Sequence, residues 1–191
     1  MLDAFHSSLT AQKVINFNRI DLNSEQPPWY DEAVYNYLWN SDLNTSNTDT
    51  DSVSESIHYM TQHCQQFNQA DLLVIAAPVW NSSVPAILKA WIDLIISPNH
   101  TYRFGPNGIE ALHNIKRVLW LISSGGPENK VNVDNHFLAI QQSPFGYIGI
   151  EDMDVIWADK QEPSLYDDHQ QQLESALEKI NAYTKQLISN I

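Results

Sequence analysis

The sequence predicts an α/β protein, a doubly wound parallel sheet with helices on both faces, and three observations carry that prediction. Two apolar runs without alternation, Leu72 to Ala77 and Arg117 to Ile122, suit strands covered on both faces rather than strands with one wet face. Each run ends in a polar loop, Trp80-Asn81-Ser82-Ser83 after the first and Ser123-Ser124-Gly125-Gly126-Pro127 after the second. Strand-like and helix-like segments alternate along the chain, as a parallel sheet requires and a sandwich or bundle does not.

Taken in order, residues 2–11 read as a helix. Val14 to Ile20 alternates as Val-x-Asn-Phe-x-Arg-Ile and is expected to be a strand, with a turn starting at Asp21. Pro27-Pro28-Trp29-Tyr30 leads into a short aromatic helix from Asp31 to Trp39, and Ser41 to Asp51 is a polar, acidic excursion rather than a domain boundary. Ser52 to Phe67 fits a helix whose apolar stripe is Val53, Ile57, Met60, Cys64 and Phe67, which makes Cys64 a core residue. After Leu72 to Ala77, Pro78 should stop the ladder, because it lacks a backbone donor. Ser82 or Ser83 is positioned to cap a helix that Pro85 opens and Ala86 to Ile95 continues. Thr101 to Gly108 alternates and turns at Pro106-Asn107-Gly108, a small β excursion. The strand from Arg117 follows, then a helix near Val133 to Gln142, a strand near Asp154 to Ala158 and a final helix from Leu165 to Ser189. This gives four strands in one domain spanning residues 1–191.

Composition narrows the function. A chain of 191 residues with 43% hydrophobic content can bury a sizeable core. Its formal net charge is −13 and its basic residues do not cluster beyond Lys116-Arg117, so nucleic acid is not an expected partner. Cys64 is the one cysteine, no charged and apolar leader opens the chain, and the cytoplasm is the expected compartment. Lys89 and Asp93 interrupt the longest apolar stretch, which leaves no membrane span of about 20 residues. Without export, the sequons at Asn44, Asn81 and Asn99 predict no glycan. His6, His58, His63, His100, His113, His136 and His169 show no metal-ligand spacing, and Asp49-x-Asp51 lacks the rest of a calcium loop, so no metal is expected. The serine-hydrolase elbow, the P-loop and the dinucleotide fingerprint are all absent from the sequence.

In open α/β sheets, ligands bind outside the carboxyl ends of the strands. Both polar loops fall there. The first offers an indole, an amide, hydroxyls and backbone N–H groups, and the second offers glycines that let backbone approach a ligand closely. That combination suits a flat ring with a polar edge, such as a flavin.

The ordered motifs Ala77-Pro78-Val79-Trp80-Asn81-Ser82, Leu88-Lys89-Ala90-Trp91-Ile92-Asp93, Thr101-Tyr102-Arg103-Phe104 with Asn107-Gly108, Ser123-Ser124-Gly125-Gly126, and Gly146-Tyr147-Ile148-Gly149-Ile150 give the chain a specific likeness. It resembles the FMN-dependent NADH:quinone oxidoreductases known as azoreductases, within the flavodoxin-like quinone reductase superfamily. The resemblance implies that Val79, Trp80, Asn81 and Ser82 wrap one edge of the isoalloxazine while Ser123, Ser124, Gly125 and Gly126 approach the other. It implies a substrate pocket ringed by Phe104, Tyr147 and Trp157. The implied activity is two-electron reduction of quinones and azo compounds by NAD(P)H in a ping-pong sequence, with no obligatory catalytic side chain. A homodimer is implied as well, and the helix Pro85 to Ile96, apolar around most of its circumference, is its expected interface.

Two departures accompany the likeness. Family members begin with a central strand and a Ser-containing phosphate loop, whereas here Met1 already falls inside the first helix. The flavodoxin-like order 2-1-3-4-5 needs five strands, so strand 1 is expected to be missing, facing ladder edges to be unpaired, and FMN to bind weakly to these residues. A start codon assigned too far downstream or gene decay would each produce such a chain. Glu128 stands where the resemblance places a His near the flavin O2, and its carboxylate would oppose negative charge there unless it points to solvent. A non-catalytic relative without FMN and a flavodoxin-like single-electron carrier are the two other readings.

Overall fold

A computed structural model describes residues 1–13, 15–40 and 50–189; for 50–54 it describes the backbone only. Helices α1 (Leu2–Thr10), α2 (Glu32–Trp39) and α3 (Thr50–Gln69) precede strand β1 (Leu72–Pro78) and helix α4 (Ala86–Ile95). A hairpin, β2 (Tyr102–Gly105) and β3 (Gly108–Ala111), separates them from β4 (Arg117–Ser123). The chain continues through α5 (Glu128–Val131), α6 (His136–Tyr147), β5 (Asp152–Ala158) and α7 (His169–Ser189).

The main sheet has three parallel strands in the order β1-β4-β5, with register running from Leu72↔Arg117 to Pro78↔Ser123 and from Arg117↔Asp152 to Ser123↔Ala158. Alternate residues of each strand serve two cores, as period-2 geometry dictates. Ile75, Ala77, Val118, Trp120, Ile122 and Trp157 join Met60, Cys64, Phe67, Leu88, Trp91 and Leu94 of α3 and α4. Leu119, Leu121, Ile156 and Ala158 join Phe5 and Leu9 of α1 and Ala176 and Ile180 of α7. Helices thus cover both faces, and the unalternating apolar runs follow from that. Burial pushes the Cys64 thiol up to about 12, consistent with the core position expected for it.

The segment expected to be the first strand forms no ladder. Residues 15–20 have no regular secondary structure, yet Ile15 and Phe17 pack on the α1/α7 core while Asn16 and Asn18 are exposed, so the alternation is real. His6 stacks on Phe17 at 4.2 Å between ring centroids, and Arg19 pairs with Asp3, both within reach of α1. In the order 2-1-3-4-5 this segment pairs only with strand 1, and the described residues place no strand between it and β1. Without ladder hydrogen bonds, period-2 burial alone does not make a strand.

Three further expectations change. Pro78 keeps its place in the register, because the next amide, Val79 N–H, donates to Ser123 O at 2.7 Å; the missing Pro78 donor falls on the outer edge of β1. Neither Ser82 nor Ser83 caps α4, whose N-cap is Pro85 with no side-chain bond; Ser83 instead closes a tight bridge with Trp80. Helix α4 also exposes less than its composition suggested. Leu88, Ala90, Trp91, Ile92, Leu94 and Ile95 are all buried within the chain itself, so this helix no longer calls for a homodimer to cover it. No helix among the described residues is long and apolar enough to cross a membrane.

Candidate functional site

The site is built where β1 and β4 end side by side. Register pairs Pro78 with Ser123, so the loops that follow must leave the sheet together, and the Val79 to Ser123 bond ties the start of one to the other. Beyond it, Trp80 N–H donates to Ser83 O at 2.8 Å and Ser83 N–H returns to Trp80 O at 3.0 Å. That turn needs left-handed backbone at Asn81 (φ 49°) and Ser82 (φ 61°). Asn tolerates this conformation better than most residues, while Ser does not ordinarily adopt it. The turn turns the Trp80 ring outward, 62% exposed on a core-anchored loop.

The second loop is held from below. Ser124 N–H donates to Ala158 O at 3.1 Å, Gln161 N–H to Ser124 O at 2.9 Å and Lys160 N–H to Gly126 O at 3.2 Å, which ties the loop to the segment after β5. The Ser124 hydroxyl donates to Gly126 O at 2.8 Å and accepts from the Trp157 indole N–H at 2.8 Å. Trp157 is therefore a support. It is 8% exposed, lies against Phe137 at 5.3 Å, and does not ring an open pocket as expected of it. Space remains around Gly126, where a Cβ would meet nothing within 4 Å. Among the described residues, the backbone amides of Asn81, Ser82, Gly125 and Gly126 have no intramolecular acceptor. An exposed indole, free amides and an open glycine on adjoining loops fit a flat ring with acceptors along its edge.

The other two expected pocket residues share a surface. Phe104 on the hairpin is 60% exposed and Tyr147 at the end of α6 is 51% exposed; buried Tyr102 touches both edge-on, at 5.6 and 5.5 Å. Sequence reading missed Trp39, which lies 6.2 Å from Phe104 and donates its indole N–H to the Tyr30 hydroxyl at 3.1 Å. Only the aromatic density of α2 signalled it. Glu128 is exposed, and its amide donates to Asp159 at 2.9 Å.

A cavity of about 350 Å³ lies beside the ring loops, between the start of α1 (Met1, Leu2) and the ends of all three main strands. Ala76, Ala77, Pro78, Leu121, Ala158 and Leu173 make its wall largely apolar, with Ser123 and Gln161 as the polar side chains. The Gln161 amide already donates to Asp159 O and His169 O. No Lys, Arg or His side chain among the described residues lines the cavity, and its wall is mostly apolar. No cluster of His, Cys, Asp or Glu among the described residues has a metal-binding arrangement.

Fold and loops together define an open parallel sheet, covered by helices on both faces, with two adjoining polar loops at its carboxyl edge. A sequence-family profile described as Flavodoxin-like fold matches residues 1–184, and the chain belongs to that family. Among sequence relatives, it is 35% identical over 98 residues to an FMN-dependent NADH:quinone oxidoreductase of Gluconacetobacter diazotrophicus, covering 50% of this chain and 49% of that one. It is 39% identical over 97 residues to FMN-dependent NADH:quinone oxidoreductase 2 of Bradyrhizobium diazoefficiens, covering 49% and 48%. The chain thus spans about half the length of the curated relatives it matches. Among solved structures, an azoreductase from Bacillus anthracis str. Sterne superposes with a TM-score of 0.81 at 20% identity, over 96% of this chain and 88% of that one. The FMN-dependent NADH-azoreductase from Bacillus anthracis str. Ames Ancestor, in complex with FMN, gives 0.79 at 23% identity over 97% and 89%.

Proposed function

We propose that this chain carries the isoalloxazine-binding half of an FMN-dependent NAD(P)H:quinone oxidoreductase of the azoreductase type. The observation that carries the reading is the pair of adjoining loops, tied by the Val79 to Ser123 bond, that present an exposed indole and free amides at one strand edge. The names of the relatives, NADH:quinone oxidoreductases and azoreductases, support the reaction class.

Trp80 would pack on the ring, and Asn81, with the amides of Ser82, Gly125 and Gly126, would meet its polar edge. When bound, FMN supplies the two-electron chemistry that links NAD(P)H to a quinone or azo acceptor. The protein's share is positioning. Ser124 and Trp157 hold the second loop, and the Phe104, Tyr102 and Tyr147 group offers aromatic surface to a flat acceptor. With one cleft for both, donor and acceptor would visit in turn. Buried Cys64 suits a reducing compartment such as the cytoplasm, and self-association is proposed from the resemblance alone, without support from α4.

The apolar wall of the cavity beside α1 favours a second reading, a relative that holds a flavin ring loosely and turns over little. One experiment separates the two. Titrate the 191-residue protein with FMN and with riboflavin, following flavin absorbance, then assay NADH oxidation with menadione. Binding of both flavins with similar affinity and steady-state turnover supports the enzyme. Binding without turnover supports the loose relative, and failure of both flavins to bind overturns the ring site.

A further inference from the structure

The second ring loop is bordered by carboxylates. The segment after β5 runs along it, with Gln161 N–H on Ser124 O at 2.9 Å and Lys160 N–H on Gly126 O at 3.2 Å. That pairing sets Glu162 beside Gly125, where a Cβ on the glycine would stand 3.7 Å from the Glu162 Cβ. The Glu162 carboxylate accepts from the Ser164 hydroxyl at 2.6 Å and from the Ser164 N–H at 3.2 Å. These bonds fix it and hold it below the usual carboxylate range, so it stays ionised at neutral pH. Asp159 accepts from Glu128 N–H at 2.9 Å, and Glu128 begins α5 one proline beyond the loop. The lysines of the same segments are Lys130 in α5 and Lys160, whose ammonium is engaged by Asp168 at 2.8 Å. The first ring loop, Val79 to Ser83, carries no charged side chain.

We propose that Glu162, with Glu128 and Asp159, sets the flavin site against negative charge, so that it holds oxidised flavin more tightly than reduced flavin. The inference rests on the oxidoreductase reading, because it concerns the ligand of the two ring loops. When NAD(P)H gives up a hydride, two electrons and one proton pass to the flavin and NAD(P)+ leaves. The flavin gains one unit of negative charge unless a further proton follows. Carboxylates held beside the loop raise the energy of that charged state and act little on the uncharged oxidised ring. Binding the reduced form tenfold more weakly lowers the two-electron potential of the flavin by about 30 mV. The bound flavin is then a stronger reductant toward its acceptor than free flavin is.

The arrangement is held in place by main chain. Leu165 N–H and Tyr166 N–H both donate to Glu162 O, at 3.0 and 3.1 Å, closing a turn that keeps Glu162 against the loop. Lys160 sits in left-handed backbone (φ 54°) with its ammonium on Asp168, so its charge is already matched. The free amides of Gly125 and Gly126 pull the other way, because a hydrogen bond to a charged acceptor is stronger than one to a neutral acceptor. They carry partial charges against three full ones. The formal net charge of −13 adds to the carboxylates and not to the amides.

The test measures binding of FMN to the 191-residue protein in two states, oxidised and dithionite-reduced, by anaerobic equilibrium dialysis at mildly alkaline pH. The ratio of the two dissociation constants is the readout, since the FMN phosphate is the same in both states and a loss of fold weakens both. The reduced form is expected to bind about tenfold more weakly. Glu162→Gln should shrink that ratio by about two- to fivefold and Glu128→Gln by less, while Glu162→Asp, which keeps the charge, should preserve most of it. Glu151→Gln removes the same charge at the amino end of β5, roughly 20 Å away along the strand, and should leave the ratio unchanged. A ratio at or below one in the unaltered protein, or an equal response to Glu162→Gln and Glu151→Gln, overturns the proposal. The two readings fail separately: binding of both forms with a ratio of one sinks the charge effect alone, and binding of neither form sinks the oxidoreductase reading and the charge effect with it.

Discussion

The two edges of β1 belong to one strand and face opposite conditions. On the inner edge, every residue from Leu72 to Pro78 has a partner in β4, and the ladder continues through Val79 into the ring loops. On the outer edge, the described residues provide no strand, and segment 15–20 reaches the α1/α7 core through the side chains of Ile15 and Phe17. The inner edge holds Trp80, Asn81 and the Ser123–Gly126 loop in place through main-chain bonds. The largely apolar cavity of about 350 Å³ beside α1 lies across the ends of all three strands, with no Lys or Arg side chain of the described residues on its wall. Helical cover is thus enough to bury a strand's side chains, but a binding loop at its end is held by the ladder.

The largest effect should come from breaking the paired side at its centre. Trp120 is fully buried in the middle strand and meets Phe145 edge-on at 5.9 Å. Trp120→Ala should cost about 3–5 kcal/mol, enough to unfold a marginal domain, as read from the urea midpoint. A loss under about 1 kcal/mol would mean that the β4 ladder is not the part that holds the molecule together.

Ser124→Ala tests the loop anchor. It leaves the Trp157 N–H without its acceptor in a buried setting, at a cost of about 1–3 kcal/mol. Flavin affinity should fall further than stability, because the same hydroxyl also braces Gly126. Ser124→Thr, which keeps the hydroxyl, should recover most of both.

Acid should weaken the α3/α4 side. His63, His100 and His113 are each held below the ordinary 6.5 by burial, against weaker upward pulls from Glu25 on His63 and from the Ile148 carbonyl on His113. His63 is pinned in the neutral form: Nδ1 accepts from the Trp91 indole at 3.2 Å, so Nε2 must donate to Glu25 at 3.0 Å. For a depressed histidine the unfolded chain takes up protons first. Stability is therefore full above the ordinary value and declines as pH falls through 6.5 toward the lowered native values. Urea midpoints at about pH 7.5 and about pH 5.5 should show the decline, and His63→Gln should reduce it. A midpoint that rises on acidification would refute the assignment.

How far the sequence could be read follows the same division. Leu72 to Ala77, the hairpin turn at Pro106-Asn107-Gly108 and the helix after Pro85 were legible because local pattern and final environment agree there. The adjacency of Val79–Ser82 and Ser123–Gly126 was legible because strand ends in a parallel sheet bring loops together. Residues 15–20 misled because alternation records burial, whereas a strand requires a neighbour. Trp157 misled because an aromatic in a strand shows its residue type but not its side of the sheet. The left-handed turns at Asp134 and Asn135 were invisible, since their residue types permit such backbone but do not demand it.

The smallest effect should come from the outer side. Phe17 is half-buried beside His6 and touches the α1/α7 core through its ring alone. Phe17→Ala removes part of one ring's burial and one stacking contact and no ladder bond, so about 1 kcal/mol or slightly more is expected. Amide hydrogen exchange gives the sharper contrast. Residues 15–20 should exchange through local opening, at rates that Phe17→Ala hardly changes, while β4 amides should exchange only with global unfolding. Protection of residues 15–20 matching that of β4 would mean that the outer edge is held by main-chain bonds after all, and the contrast between the two sides of β1 would disappear.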